Sequence, residues 1–276
     1  MLPADLQQLL ISDPELRILF VEGTSDVTLW KLIVPIVTRQ KGTVYAIDEI
    51  EVQVDSGGSK ARALKLADIS AQWPESDRLH YFVDSDFDRI LGVAHPANVS
   101  TTDGRDIESY TLEPKVLECL CDIGAGGITH TAKEIAEKVD ILLRPVSEVR
   151  VASATLNWAL PFQKTLENGS LRRFFRQRQG KPELNRQALL QALASRAEIF
   201  VSDKEMIDKC DDAHVRLNAL PTFAIIHGKD LIALLSWALA LPLHVVQGLM
   251  VLSLKACFDA ITTYPNIKKV RDWVEA

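Results

Sequence analysis

Ile18-Leu19-Phe20-Val21-Glu22-Gly23-Thr24-Ser25-Asp26, answered further along the chain by His80-Tyr81-Phe82-Val83-Asp84-Ser85-Asp86-Phe87-Asp88, decides the fold. Each stretch opens with a short β-branched and aromatic run, the pattern of a buried strand, and each ends in acids. The carboxylates therefore fall at the carboxyl ends of strands, where open α/β sheets keep their ligand crevice. Acids gathered at one sheet edge repel one another unless a cation neutralises them, and hard divalent ions such as Mg²⁺ take oxygen ligands of this kind. Gly23 lets the backbone turn sharply, and Asp26 then falls on the first turn of a helix, facing back toward Glu22. Asp84 and Asp86 flank Ser85 in an extended tip, so both can point to one side. Such clusters bind Mg²⁺ ions that stabilise the attacking and leaving oxygens of phosphoryl transfer. An isolated D-x-D is more often a solvated loop; the two motifs together, in strand context, raise the metal reading above that.

Working outward, strand and helix signals alternate. Arg17 to Val21 is a strand, Ser25 is placed to cap the next helix, and Val27, Trp30, Ile33, Val34 and Val37 share a helical face that Pro35 should kink or end. Ile50 to Val54 reads as a second strand. Gly57-Gly58-Ser59-Lys60 turns into a helix carrying Ala63, Leu66, Ala67 and Ser70, and Leu79 to Val83 is the third strand. The expected class is α/β, a parallel sheet flanked by helices, over residues 1–114. From about Asp106 the character changes. Ile107 to Leu112 reads as one more strand, and residues 115–276 as mainly helical: Val116 to Cys121, Ala132 to Leu143, Ser153 to Ala159, Arg186 to Phe200 and Lys204 to Cys210. Asn168 to Pro182 reads as an exposed loop. Phe223 to His227 reads as a short strand, so that 223–232 is a candidate to pack back on the sheet.

The 276 residues carry a formal net charge of −6, with 47% hydrophobic and 25% charged residues. An acidic whole gives no bulk attraction to nucleic acid, so binding to a polyanion needs a local basic patch or a bound metal. Leu171-Arg172-Arg173-Phe174-Phe175-Arg176-Gln177-Arg178-Gln179-Gly180-Lys181 is such a patch. Arg172, Arg173, Arg176, Arg178 and Lys181 suit phosphate contacts, with the phenylalanines available for base stacking. An amphipathic helix that buries Phe174 and Phe175, and a docking surface for an acidic partner, are the competing readings. Cys119, Cys121, Cys210 and Cys257 lack ligand spacing and read as reduced structural cysteines. The N-terminus lacks the pattern of a signal peptide, so a cytoplasmic location is expected. Leu231 to Leu254 has no charged residue and the length of a membrane span, but Pro242, His244, Gln247 and Ser253 interrupt it. A buried helix pair broken near Pro242, at a homodimer interface, is the expectation, with no membrane. Gly57-Gly58-Ser59-Lys60 lacks Walker A spacing and reads as a tight turn rather than a phosphate loop. His130, His214 and His244 read as structural or surface residues, while His227 adjoins Gly228-Lys229.

At these motifs the chain resembles the Toprim superfamily of topoisomerases, primases and OLD-type nucleases. Phe20-Val21-Glu22-Gly23-Thr24-Ser25-Asp26 and Phe82-Val83-Asp84-Ser85-Asp86-Phe87-Asp88 carry the likeness. Asp106-Ile107-Glu108-Ser109-Tyr110 and His227-Gly228-Lys229-Asp230-Leu231 narrow it toward the Toprim effectors of PARIS phage-defence systems. The resemblance implies that Glu22 is the general acid/base of strand cleavage. It also implies that Asp84 and Asp86 bind Mg²⁺ (Mn²⁺ substituting), that Asp26 is the extra carboxylate of OLD-type sites, and that Glu108 completes the metal shell. Asp88 is either a ligand or a cap, and Lys229 either stabilises the pentavalent phosphate or is a surface lysine. The implied function is an Mg²⁺-dependent endonuclease cleaving transfer RNA or DNA, a toxic antiviral effector controlled by an ABC-type ATPase partner.

Two alternatives belong to other classes. A haloacid-dehalogenase-type phosphatase would use Asp84 as nucleophile and Asp86 as acid/base, but its motif normally sits on the first strand and continues with Thr or Val where Asp88 stands. A non-catalytic Toprim-like regulatory subunit would need no intact acidic set.

Overall fold

The computed structural model describes residues 1–33, 42–124, 130–156, 158, 160–197 and 203–275. The chain divides into two compact units, one formed by Met1–Ile107 with Cys257–Ala276 and the other by Glu108–Ala256. The first boundary therefore falls earlier than residue 114, and the last stretch belongs with the sheet-bearing unit rather than with the helical one. Residues 223–232 lie within the second unit.

In the first unit, α1 (Pro3–Ser12) leads into β1 (Arg17–Val21), α2 (Thr24–Ile33) and β2 (Gly42–Ala46). Then come α3 (Ser59–Ser70), β3 (Leu79–Val83), α4 (Asp88–Leu91) and β4 (Val99–Thr101). The strands form one sheet in the order β2-β1-β3-β4, every pair parallel. This is the expected α/β class, a parallel sheet flanked by helices. The two inner strands are buried throughout, apart from the half-buried Arg17 at the start of β1, as a sheet covered on both faces requires.

Alternation along the strands distributes the core between those faces. Ile18 and Phe20 of β1 and Leu79, Tyr81 and Val83 of β3 pack with Leu6 and Leu10 of α1 and Ala63, Leu66 and Ala67 of α3. There the Phe20 and Tyr81 rings stack at 5.3 Å, and the buried Tyr81 hydroxyl is 2.9 Å from Ser70 Oγ. Phe82 points the other way and meets Trp30 of α2 edge-on at 4.8 Å. Beside it His80 faces the Trp273 ring at 5.2 Å.

Trp273 belongs to α13 (Pro265–Glu275), which the chain reaches through α12 (Phe258–Ile261) after leaving the second unit. Its backbone carbonyl accepts from Arg17 Nη1 at 2.6 Å, and its indole N–H donates to Asp77 O at 2.8 Å. Asn266 N–H donates to Asp103 Oδ1 at 3.0 Å. These bonds, with the burial of Ile267, Val270 and Val274, are why the final residues join the sheet unit.

Two of the strands expected within residues 1–114 are something else. The second strand is Gly42–Ala46, and Ile50–Val54 runs beside the sheet without joining it. Ile50 and Val52 are nevertheless buried in the core, so their alternation records burial rather than ladder pairing. Ile107–Leu112 is a 3-10 helix. Ser109, Tyr110 and Thr111 are buried in succession within it, so the burial that suggested a strand is present without a ladder partner. Val34, Pro35 and Val37 lie outside the described residues.

The second unit contains α5 (Pro114–Gly124), α6 (Ala132–Thr155), α7 (Phe162–Leu166), α8 (Arg186–Ala194), α9 (Asp203–Leu217), α10 (Gly228–Ala238) and α11 (Leu243–Ala256). Thr131 caps α6, accepting from Glu134 N–H at 3.2 Å while Glu134 Oε2 accepts from Thr131 N–H at 2.9 Å, a reciprocal capping box. Arg144 of α6 donates to the carbonyl of Leu217 at 3.1 Å and to Thr222 Oγ1 at 2.9 Å, tying α6 to the end of α9. Phe223–His227, expected as a strand, is part of a 3-10 turn and the segment entering α10. The stretch 168–182 is not a plain loop either. A 3-10 helix (Glu167–Phe174) runs into an antiparallel hairpin of β5 (Phe175–Arg178) and β6 (Lys181–Leu184). The long uncharged segment breaks at Pro242, with α10 and α11 bent by 109°. Among the described residues no single helix is long and apolar enough to cross a membrane.

Candidate acidic site at the sheet switch point

Strand order places the chemistry. From β1 the chain moves to β2 on one side, and from β3 it moves to β4 on the other. The topological switch point thus lies between β1 and β3, where such sheets open a crevice at their carboxyl ends. Val21 is in register with Phe82, which brings the residues after each strand together. Glu22 Oε1 accepts the Asp84 N–H at 2.8 Å, clamping the two acidic motifs across the crevice.

Asp26 is held by local bonding. The helix α2 begins at Thr24, one residue before the expected cap, so Ser25 lies inside it. Asp26 Oδ2 instead accepts the Gly23 N–H at 3.0 Å, bracing the turn between β1 and α2 and favouring a negative charge at the helix start.

The loop after β3 is built from bonds to the segment after β4. Thr102 N–H donates to Val83 O at 2.9 Å and Ser85 N–H to Thr102 Oγ1 at 2.9 Å. Asp86 N–H donates to Arg105 O at 2.9 Å. These bonds hold Asp86 at a φ of 47°, a left-handed conformation that aspartate tolerates better than most residues. The buried Arg105 guanidinium lies 4.1 Å from the Phe87 ring centre. Asp88 N–H donates to Ser85 O at 2.8 Å, and Asp88 opens the short helix α4.

A residue assigned only a turn role in the sequence completes the cluster. Lys60 Nζ, on the first turn of α3, is 3.1 Å from Asp86 Oδ2 and 2.8 Å from Asp88 Oδ2. His95 Nε2 lies 2.7 Å from the same Asp88 oxygen. Burial alone would lower the Lys60 pKa, but the Asp88 and Asp86 carboxylates more than offset it and hold the ammonium above its ordinary value. The Gly58-Ser59-Lys60 order at a helix start was the available signal; it gained meaning only once α3 was seen to deliver the lysine to the loop after β3.

Glu22 is the electrostatic outlier. Burial pushes its carboxyl up to about 7, the Asp84 N–H and the Lys60 ammonium oppose the rise, and the negative charges of Asp86 and Asp26 reinforce it. A carboxyl shared between proton and anion near neutral pH is what acid–base work requires.

The donor chemistry suits a hard divalent ion, since Glu22, Asp26, Asp84 and Asp86 offer only oxygen, and the charges of Asp86 and Asp26 add to the burial that raises Glu22. The side chains do not converge on one point, however. Among the described residues no group of three or more His, Cys, Asp or Glu side chains is close enough to hold a metal ion, and Asp86 spends its charge on Lys60. Asp88 is both the start of α4 and an ion-pair partner.

Glu108 and Lys229 fall in the second unit. Glu108 is half-buried in the 3-10 helix Ile107–Leu112. Lys229 is exposed at the start of α10, its N–H donating to His227 Nδ1 at 3.1 Å. The residue after it is the buried one: Asp230 takes a bidentate pair from Arg150 of α6 at 2.7 and 2.8 Å, with the guanidinium 4.4 Å from the Phe162 ring centre. Arg172, Arg173, Arg176, Arg178 and Lys181 are exposed, whereas Phe174 and Phe175 are buried, Phe175 edge-on to Trp237 at 5.4 Å. That removes the expected base stacking by these two rings.

Fold and site together define an α/β protein with an acidic strand-end cluster at the switch point of a parallel sheet. No family model matches the chain, and a search of curated proteins finds no match either.

Proposed function

We propose that this chain is a Toprim-type, divalent-metal-dependent endonuclease acting on nucleic acid. The observation that carries the reading is the Glu22–Asp84 bond of 2.8 Å across the β1/β3 switch point, with Asp86 one residue beyond Ser85. It joins the glutamate of the first motif to the D-x-D of the second in one crevice.

Glu22, Asp26, Asp84 and Asp86 would hold the ion. Bound Mg²⁺ would supply charge stabilisation to the attacking and leaving oxygens of phosphodiester hydrolysis. Glu22 takes a proton from the attacking water or returns one to the leaving oxygen. The Asp84 N–H orients the glutamate, and Lys60 places a positive charge beside the D-x-D, where a phosphate group would enter. Glu108 as a further ligand and Lys229 as a stabiliser of the phosphate join the proposal by resemblance. So does the wider role: an antiviral effector controlled by an ABC-type ATPase partner, acting on transfer RNA or DNA and working as a homodimer.

The test is cleavage of supercoiled plasmid and of transfer RNA by purified chain with Mn²⁺ or Mg²⁺. Glu22→Gln keeps the side-chain oxygen that accepts from Asp84 and should lower the rate at least a hundredfold. Undiminished cleavage by that variant ends the reading.

A further inference from the structure

The hairpin β5–β6 presents its charge on a single face. Its register pairs Arg176 with Glu183 and Arg178 with Lys181, while Phe175 pairs with Leu184 and Gln177 with Pro182. Side chains alternate between the faces of a ribbon, so Arg176, Arg178, Lys181 and Glu183 share one face and the buried Phe175 and Leu184 the other. Gln179 and Gly180 have φ of 51° and 78°, the two positive values that a tight two-residue hairpin turn needs. The ribbon therefore ends bluntly, with Arg178 beside its tip and 73% exposed. Arg172 and Arg173 are exposed just before it.

The one acid on this face does little to restrain the arginines. Glu183, half-buried, has its Oε1 3.2 Å from Arg176 and 3.7 Å from Arg178, and ion pairs whose arginines are this open to solvent contribute little. An acidic protein that gathers five cations against one acid on so short a stretch has concentrated them for a polyanion.

We propose that this hairpin docks on the phosphate backbone of a B-form DNA duplex. The inference rests on the nucleic-acid part of the proposed function and narrows it. Single-stranded binding combines cations with aromatic faces on which bases stack, and both phenylalanines here are committed to the core. What the surface offers is charge at ribbon spacing. A two-stranded ribbon is also an element that a B-form major groove admits, whereas the A-form major groove is too narrow for side chains to read.

The experiment measures binding of the 276-residue Glu22→Gln chain, which keeps probes intact, to a labelled DNA duplex, an RNA duplex of the same sequence and each single strand. Fluorescence anisotropy is followed between about 50 and 200 mM salt. The DNA duplex should bind at least tenfold more tightly than its single strands, and more tightly than the RNA duplex. Replacing Arg176, Arg178 and Lys181 with alanine should weaken duplex binding at least tenfold and reduce the log–log salt slope by about 2–3. An unchanged slope in that variant, or single strands or the RNA duplex binding as tightly as the DNA duplex, overturns the proposal. The outcomes also separate it from the nuclease reading. Hairpin-dependent duplex binding with no cleavage by the wild-type chain removes only the nuclease, and Glu22-dependent cleavage with an unchanged salt slope removes only the docking role.

Discussion

Replacing Glu22 with glutamine should stabilise the protein, and only above a definite pH. The ordinary carboxyl value of 4.5 is raised to about 7 in the folded state. A raised carboxyl favours folding in its protonated form, so that contribution is complete below 4.5 and is lost as pH climbs through 7. Full burial would make the shift worth about 3 kcal/mol, at about 1.4 kcal/mol per tenfold in the proton equilibrium. The crevice is partly open to solvent, which brings the expected effect to about 1–2 kcal/mol. Glutamine mimics the neutral acid and still accepts the Asp84 N–H. Urea unfolding of both proteins from pH 4 to 8.5, read as a difference in stability, should start near zero at pH 4. It should grow through pH 5–7 in favour of the variant and level off above pH 7.5. A flat difference, or a wild type that gains on the variant as pH rises, refutes the electrostatics assigned to this glutamate.

Three further outcomes follow from the packing. Lys60→Met removes the ammonium shared by Asp86 and Asp88, so the Glu22 carboxyl should titrate still higher, as a ¹³C-carboxylate NMR titration reads directly; an unmoved or lowered midpoint contradicts the lysine's place in the cluster. Arg150→Met leaves Asp230 buried at 3% exposure without its bidentate partner, and should cost about 3–5 kcal/mol in chemical denaturation. Adding Asp230→Leu to that variant should recover a good part, because a buried pair is replaced more cheaply than it is broken. Trp273→Ala removes the ring against His80 and the bond to Asp77 O, and should cost about 2 kcal/mol, with faster amide exchange in β3 and β4 than in α10.

What the sequence disclosed depended on how local each signal was. The inner strands and α3 were legible because their apolar runs and helical spacing are complete within a few residues. Gly42–Ala46 and Val99–Thr101 escaped because they are short outer strands with half-buried members, and their identity depends on the partner they pair with. Ile50–Val54 shows the converse, an alternating segment whose burial comes from packing under a sheet it never joins. At the site, Glu22, Asp84 and Asp86 could be placed from strand ends alone. Lys60 could not, since only the fold of α3 against the sheet takes it from the turn after Gly58 to the loop after β3. The hairpin was hidden for a similar reason: its arginines were visible, but the inward turn of Phe174 and Phe175 depends on Trp237 and the rest of the second unit's core.

The charge balance at the switch point connects these observations. Glu22, Asp26, Asp84, Asp86 and Asp88 all follow the two inner strands, and the Lys60 ammonium pairs with Asp86 and Asp88 while its charge also reaches Glu22. Ionising all five acids would leave a large uncompensated negative charge in a partly desolvated space, which is unfavourable. Two features relieve it: the ammonium lies between Asp86 and Asp88, and the Glu22 carboxyl, raised to about 7, is the one that takes up a proton first as pH falls. Both reliefs are reversible, and both occupy oxygens that a hard cation would use. An ion entering the crevice would therefore compete with Lys60 for Asp86 and with a proton for Glu22, so its affinity should rise with pH through neutrality. The same compensation links the Glu22 carboxyl to the aspartates across the sheet.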